Sequence, residues 1–196
     1  MKIFQISNLS KLGLVAGLLL ISSCSFFSKT PGRSYYVLSA AGSAPTQSGI
    51  GIGVGPVDLA PFLTERPNLL FQSTPNRLEF SENHLWTGDL ENDFSRVLAT
   101  NLGSRLGMGN VKIYPWQKES ELNYQVTVDV VRFQGTPDGE TVLEANWRAY
   151  RLPEGALVKN QNTTVRDDLL VDGFEELAAS QSRLVDKLAA VIAKHL

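Results

Sequence analysis

An α+β sandwich, in which two main amphipathic helices pack on one face of a partly antiparallel sheet, is the fold class that this sequence predicts. Three patterns carry the prediction. Apolar and polar residues alternate strictly over residues 124–130 and again over 143–149, the mark of half-buried strands. Apolar residues recur every fourth position through Leu90, Phe94, Leu98, Leu102 and Leu106, the spacing of one helix face. With 43% hydrophobic and 19% charged residues, the 196-residue chain can bury one core of ordinary size.

The chain opens on a segment of different character. Lys2 and Lys11 precede ten uncharged, mostly apolar residues, 12–21, too few to span a bilayer as a helix, which needs about twenty. Ile21-Ser22-Ser23 then lead into Cys24, the only cysteine. A branched aliphatic residue and two small ones before a thiol resemble the bacterial lipobox. Residues 1–23 therefore read as a lipoprotein signal peptide and Cys24 as the lipid attachment site. Two or more acyl chains hold stably where one is marginal. Ser25 follows, not the aspartate that resembles an inner-membrane retention signal, so outer-membrane sorting is expected. Loss of residues 1–23 leaves 16 basic against 20 acidic residues, a net −4, which offers no basic face to anionic lipid.

Residues 24–34 suit a lipidated tether, and a single domain is expected over 35–196. Its first strand-like run is Tyr35-Tyr36-Val37-Leu38, followed by a small-residue loop over 39–49. Ile50, Ile52 and Val54 then alternate with Gly51, Gly53 and Gly55. One face of that strand is bare backbone, which lets another element approach closely. Nucleotide binding does not follow, because Pro56, Pro61 and Pro67 interrupt the helix a phosphate loop requires. Residues 69–72 and 77–80 read as a hairpin across Ser73-Thr74-Pro75-Asn76. The helix from Leu90 is expected to stop near Gly107 or Gly109. A short strand follows at 111–114, and strands near 124–130, 143–149 and 157–165 form an antiparallel meander. Asp172-Gly173-Phe174-Glu175 has capping-box spacing for a closing helix.

Catalytic resources are scarce. Serine hydrolysis usually needs a histidine base, and only His84 and His195 are present, with no GxSxG. His84 reads as a structural or surface side chain and His195, next to last, as frayed or solvated. Cys24, His84 and His195 are too few and too scattered for a zinc cluster, so no metal or cofactor is expected. No basic run favours nucleic acid. Asp167-Asp168 and Glu175-Glu176 point apart within their elements and read as solvated charge.

Several segments together resemble a known family: Cys24 in its lipobox, Tyr35-Tyr36-Val37-Leu38, Ile52-Gly53-Val54-Gly55-Pro56-Val57, Leu63-Thr64-Glu65-Arg66-Pro67, Asn76-Arg77-Leu78, Trp86, Arg96-Val97-Leu98 and Asn101-Leu102. Their order is similar to that of the PqiC family of ABC-type transport auxiliary lipoproteins, over nearly the whole mature chain. Thr87-Gly88-Asp89 departs from the family's usual sequence after the tryptophan. The resemblance implies a periplasm-facing outer-membrane lipoprotein, without catalysis of its own. It would dock an MCE-type lipid transport system by contacting the MCE-domain protein of a PqiB-like system, and would assemble into a homo-oligomeric ring. Ile52, Gly53, Val54, Gly55, Pro61, Glu65, Arg66, Pro67 and Trp86 are the candidate partner contacts. Alternatives are a lipoprotein hydrolase using His84 and a lipid carrier or chaperone with an acyl-sized cavity.

Overall fold

Unbroken alternation produces the longest strands. In the computed structural model, which describes residues 32–43, 50–117 and 121–196, they are β6 (Tyr124–Gly135), β7 (Glu140–Arg151) and β8 (Ala156–Asp168). Before them come β1 (Ser34–Tyr36), β2 (Ile52–Leu59), the single turn α1 (Pro61–Thr64), β3 (Asn68–Thr74), β4 (Arg77–Trp86), the helix α2 (Leu90–Leu106) and β5 (Val111–Ile113). The helix α3 (Phe174–Ala193) closes the chain. The signal peptide expected over 1–23, Cys24, most of the tether and residues 44–49 of the expected loop lie outside the described residues.

Strand β6 is the hub of an eight-stranded mixed sheet. Antiparallel β7 lies along one side of it and continues to antiparallel β8. On its other side β6 pairs with parallel β2 over residues 124–130, and with parallel β3 through Phe71 and Gly135. Strand β2 passes the sheet to parallel β5; β3 passes it to antiparallel β4, and β4 to parallel β1. Between Val54 and Val57 the β2 register shifts, at Gly55 (φ 122°) and Pro56. Pairing with β5 has ended at Val54, so the missing proline N–H breaks no ladder there.

The sheet's directions gather several loops at one end. The β6–β7 turn lies beyond Gly135, the β3–β4 turn lies beyond Thr74 on the parallel neighbour, and the Leu169 amide donates to the Gly139 carbonyl at 2.9 Å. Because β1 runs parallel to β4 with Ser34 opposite His84, β1 points away from this end and Ser34 is its residue nearest to it.

Both helices share one core with the sheet. Ile52 and Val54 of β2, Val126 and Val128 of β6 and Trp147 of β7 meet Phe94 and Leu98 of α2 and Leu184 and Leu188 of α3 in a single cluster. Each such full burial stabilises by about 1.5–3 kcal/mol. Trp147 donates its indole N–H to Thr163 Oγ1 at 2.9 Å, so its polar atom is matched inside. Helix α2 starts at Asp89, whose carboxylate accepts the Glu91 and Asn92 amides, and stops at Gly107 in the left-handed conformation (φ 65°).

The capping box expected at Asp172 does not form. Gly173 (φ 124°) is the cap residue of α3, no side chain caps it, and Glu176 instead accepts the Leu170 amide at 3.2 Å. The C-terminus also differs from expectation: His195 is half-buried, 5.7 Å from the Trp147 ring, and Leu196 packs on the core.

Candidate contact surfaces

The bare face of β2 is occupied from within the chain. After β5 the backbone folds back so that Trp116 covers Gly53 and Tyr114 covers Gly55; a Cβ at either glycine would come within 2.7 or 2.5 Å of those side chains. At Gly51 it would lie 2.1 Å from the Glu121 carbonyl oxygen. Ile52 and Val54 point the other way, into the core, with no exposed surface. The expectation that Ile52, Gly53, Val54 and Gly55 form a contact surface is thus corrected. Glycine was needed for close approach, and the approaching element is the segment around Trp116, about sixty residues on in sequence.

The proline-bounded segment is different. Pro61, Glu65, Arg66 and Pro67 are all exposed, while Leu63 is buried and holds the α1 turn to the core. Arg66 lies 5.2 Å above the Phe80 ring, a cation–π contact, and stands 3.9 Å from Glu65. Trp86, in contrast, is only 5% exposed and its amide donates to the Pro67 carbonyl at 2.6 Å. It closes the core beneath the loop and offers no ring to a partner. Of the nine predicted contacts, the four of the 61–67 segment make an accessible surface.

Several residues of the resembling motifs hold the incoming chain. Asp93 Oδ2 accepts the Leu38 amide at 2.8 Å, and Arg96 donates to the Leu38 carbonyl at 2.9 Å while pairing with Asp93. Asn101 Oδ1 accepts the Ala41 amide at 3.0 Å and Ser182 Oγ the Ser39 amide at 3.1 Å. Helices α2 and α3 thereby clamp the irregular segment that follows β1. The helical periodicity singled out α2 but not this role, because its partners lie more than fifty residues away.

A charged node joins β8 to α3. Arg183 bonds both Asp167 and Glu176 at 2.6 Å, Lys187 bonds Asp167 at 2.6 Å, and Ser180 donates to Asp167 at 2.9 Å. Desolvation pushes the Asp167 carboxyl up, but the bonds from Lys187, Arg183 and Ser180 outweigh it and hold it below the usual carboxylate range. Glu176 is lowered chiefly by Arg183. Asp167 is therefore part of an ion-paired node; Asp168 beside it faces outward and is exposed.

His84 sits among aromatics. Its Nδ1 shares a 2.8 Å hydrogen bond with the Tyr36 hydroxyl, and its ring stacks on Phe174 at 4.0 Å. The Ser81 hydroxyl donates to the His84 carbonyl, not to its imidazole. This arrangement fastens β1 and β4 to the start of α3. Among the described residues no group of three or more His, Cys, Asp and Glu could hold a metal.

A family model described as ABC-type transport auxiliary lipoprotein component matches residues 36–193. Among solved structures, an uncharacterized protein shares 21% identity at a TM-score of 0.70, over 84% of this chain and 98% of that one. Protein XCC0632 from Xanthomonas campestris shares 14% identity at a TM-score of 0.62, over 81% and 92%. At these identities the likeness is one of fold. A search of curated proteins found no match.

Proposed function

The chain belongs to the ABC-type transport auxiliary lipoproteins, as its resemblance to the PqiC family implies, and on that premise we propose that it is a non-catalytic subunit docking an MCE-type lipid transport system at the outer membrane. The observation that carries this reading is the family match, which runs from Tyr36, the last residue of β1, to the end of α3. Residues 1–23 are removed as a signal peptide, Cys24 is acylated, and residues 24–34 tether the domain to the periplasmic face of the outer membrane. The exposed segment with Pro61, Glu65, Arg66 and Pro67 is the contact for the MCE-domain protein, its prolines lowering the cost of ordering an interface. Copies of the chain assemble into a ring.

The two alternatives have less support. A hydrolase would need an imidazole aimed at a nucleophile, whereas His84 bonds Tyr36 and stacks on Phe174. A carrier would need an enclosed apolar chamber. The space between helices and sheet is filled by Phe94, Phe133 and Trp147, and three hollows on the described residues, of roughly 430–530 Å³, are open surface grooves.

Crosslinked pull-down of the acylated chain from cell envelopes tests the docking role. Recovery of an MCE-domain protein and its permease is the expected result, weakened by Glu65→Arg with Arg66→Glu. Their consistent absence would contradict it.

A further inference from the structure

Between β8 and α3 the chain turns through Leu169-Leu170-Val171-Asp172-Gly173, and there the usual polarity of a loop is reversed. Leu170 is 75% and Val171 65% exposed, the most exposed large apolar side chains among the described residues. The loop is not slack: the Leu169 amide bonds Gly139, the Leu170 amide bonds Glu176, and Phe174 stacks on His84 immediately after it. Two aliphatic side chains held in water on a fixed turn would gain by burial. They are open to a cover that the loop itself does not supply.

The sheet register indicates what. His84 lies opposite Ser34, and the Tyr36 hydroxyl bonds its ring, so the loop and the point where the N-terminal chain joins the fold occupy one end of the molecule. Only nine residue steps separate Arg33 from Cys24, a reach of at most about 30 Å. The β7–β8 turn at Pro153, Glu154 and Gly155 lies at the other end of β6, about 35 Å away.

We infer that Leu170 and Val171 insert into the interface of the bilayer that receives the acyl chains of Cys24, fixing the domain upright on its tether. The inference rests on the acylation reading above. Exposed Asp138, Asp168, Asp172 and Glu175 surround the loop, while Asp167 and Glu176 are matched by Arg183 and Lys187. The uncompensated acids suit a zwitterionic lipid surface and repel an anionic one.

The full acylated chain carrying Val171→Cys offers one free thiol for an environment-sensitive fluorophore, since Cys24 is blocked. Reconstituted in phosphatidylcholine–phosphatidylethanolamine vesicles with acyl-brominated lipid, the label is expected to shift to the blue and be quenched at least twofold more than one at Glu154→Cys. Leu170→Asp, or replacing half the lipid with phosphatidylglycerol, reduces that difference. A chain that floats with vesicles but is quenched equally at both sites overturns the loop's role and leaves the anchor intact. Failure to float removes the anchor and this inference together. A blue shift without vesicles overturns it in favour of a second copy covering the loop.

Discussion

Gly53 has no room for a side chain, because three atoms of the Trp116 ring stand within 3 Å of where its Cβ would be. Gly53→Ala is expected to cost about 1–3 kcal/mol, read as a lower urea midpoint, as overpacking does elsewhere. In a Trp116→Ala background the same change should cost less than half as much, since the clash is gone; equal costs would mean that the indole does not lie on the strand. Asp167 makes a second prediction. Its folded carboxyl is held below the unfolded value, so the stability it contributes is complete above about pH 4 and is lost as pH falls through the lower folded value. Its cationic partners are roughly 40% exposed, which limits the effect. Asp167→Asn should destabilise by about 1 kcal/mol in urea at pH 7, a smaller figure than for a fully buried pair, and by progressively less as pH falls below about 4. A difference that stays constant with pH would contradict the ion-paired geometry.

At the scale of elements the two long helices differ in how they begin. Asp89 caps α2 through two amides, so Asp89→Ala should cost about 1 kcal/mol in thermal unfolding. Asp172→Ala should change little, because Gly173 takes the cap position of α3 and Glu176 does the reaching back. A larger loss at Asp172 would restore the box that the sequence suggests. Strand and helix periods were readable because burial repeats every second or every third and fourth residue along one element: the α2 stripe, its glycine stop and the β6–β8 meander all follow from local pattern. What covers the glycine face of β2 was not readable, since Trp116 reaches it from a separate part of the chain. Trp86, named among the candidate contacts, is likewise core, because β4 ends under Pro67 and buries it. His195 looked solvated by position alone, yet α3 delivers it to Trp147. Leu169-Leu170-Val171 carried a legible signal, three apolar residues between acids beside a glycine, but no local rule says which way they face.

For the whole molecule, the clamp and the loop belong to one compact unit, residues 33–196. The segment after β1, Leu38 to Ala41, is fastened by Asp93, Arg96, Asn101 and Ser182, and Leu170 and Val171 stand exposed on the loop before α3. Through these bonds a pull on the chain ahead of β1 passes into α2 and α3, which is what the proposed docking role would ask of the domain. Pro61, Glu65, Arg66 and Pro67 stay exposed. All of this depends on Cys24. Intact-mass spectrometry of the chain extracted from membranes tests it most directly: the account predicts a polypeptide beginning at Cys24 and heavier by a diacylglyceryl group and one further acyl chain. A product that retains residues 1–23, or one whose Cys24 thiol is unmodified, would contradict it.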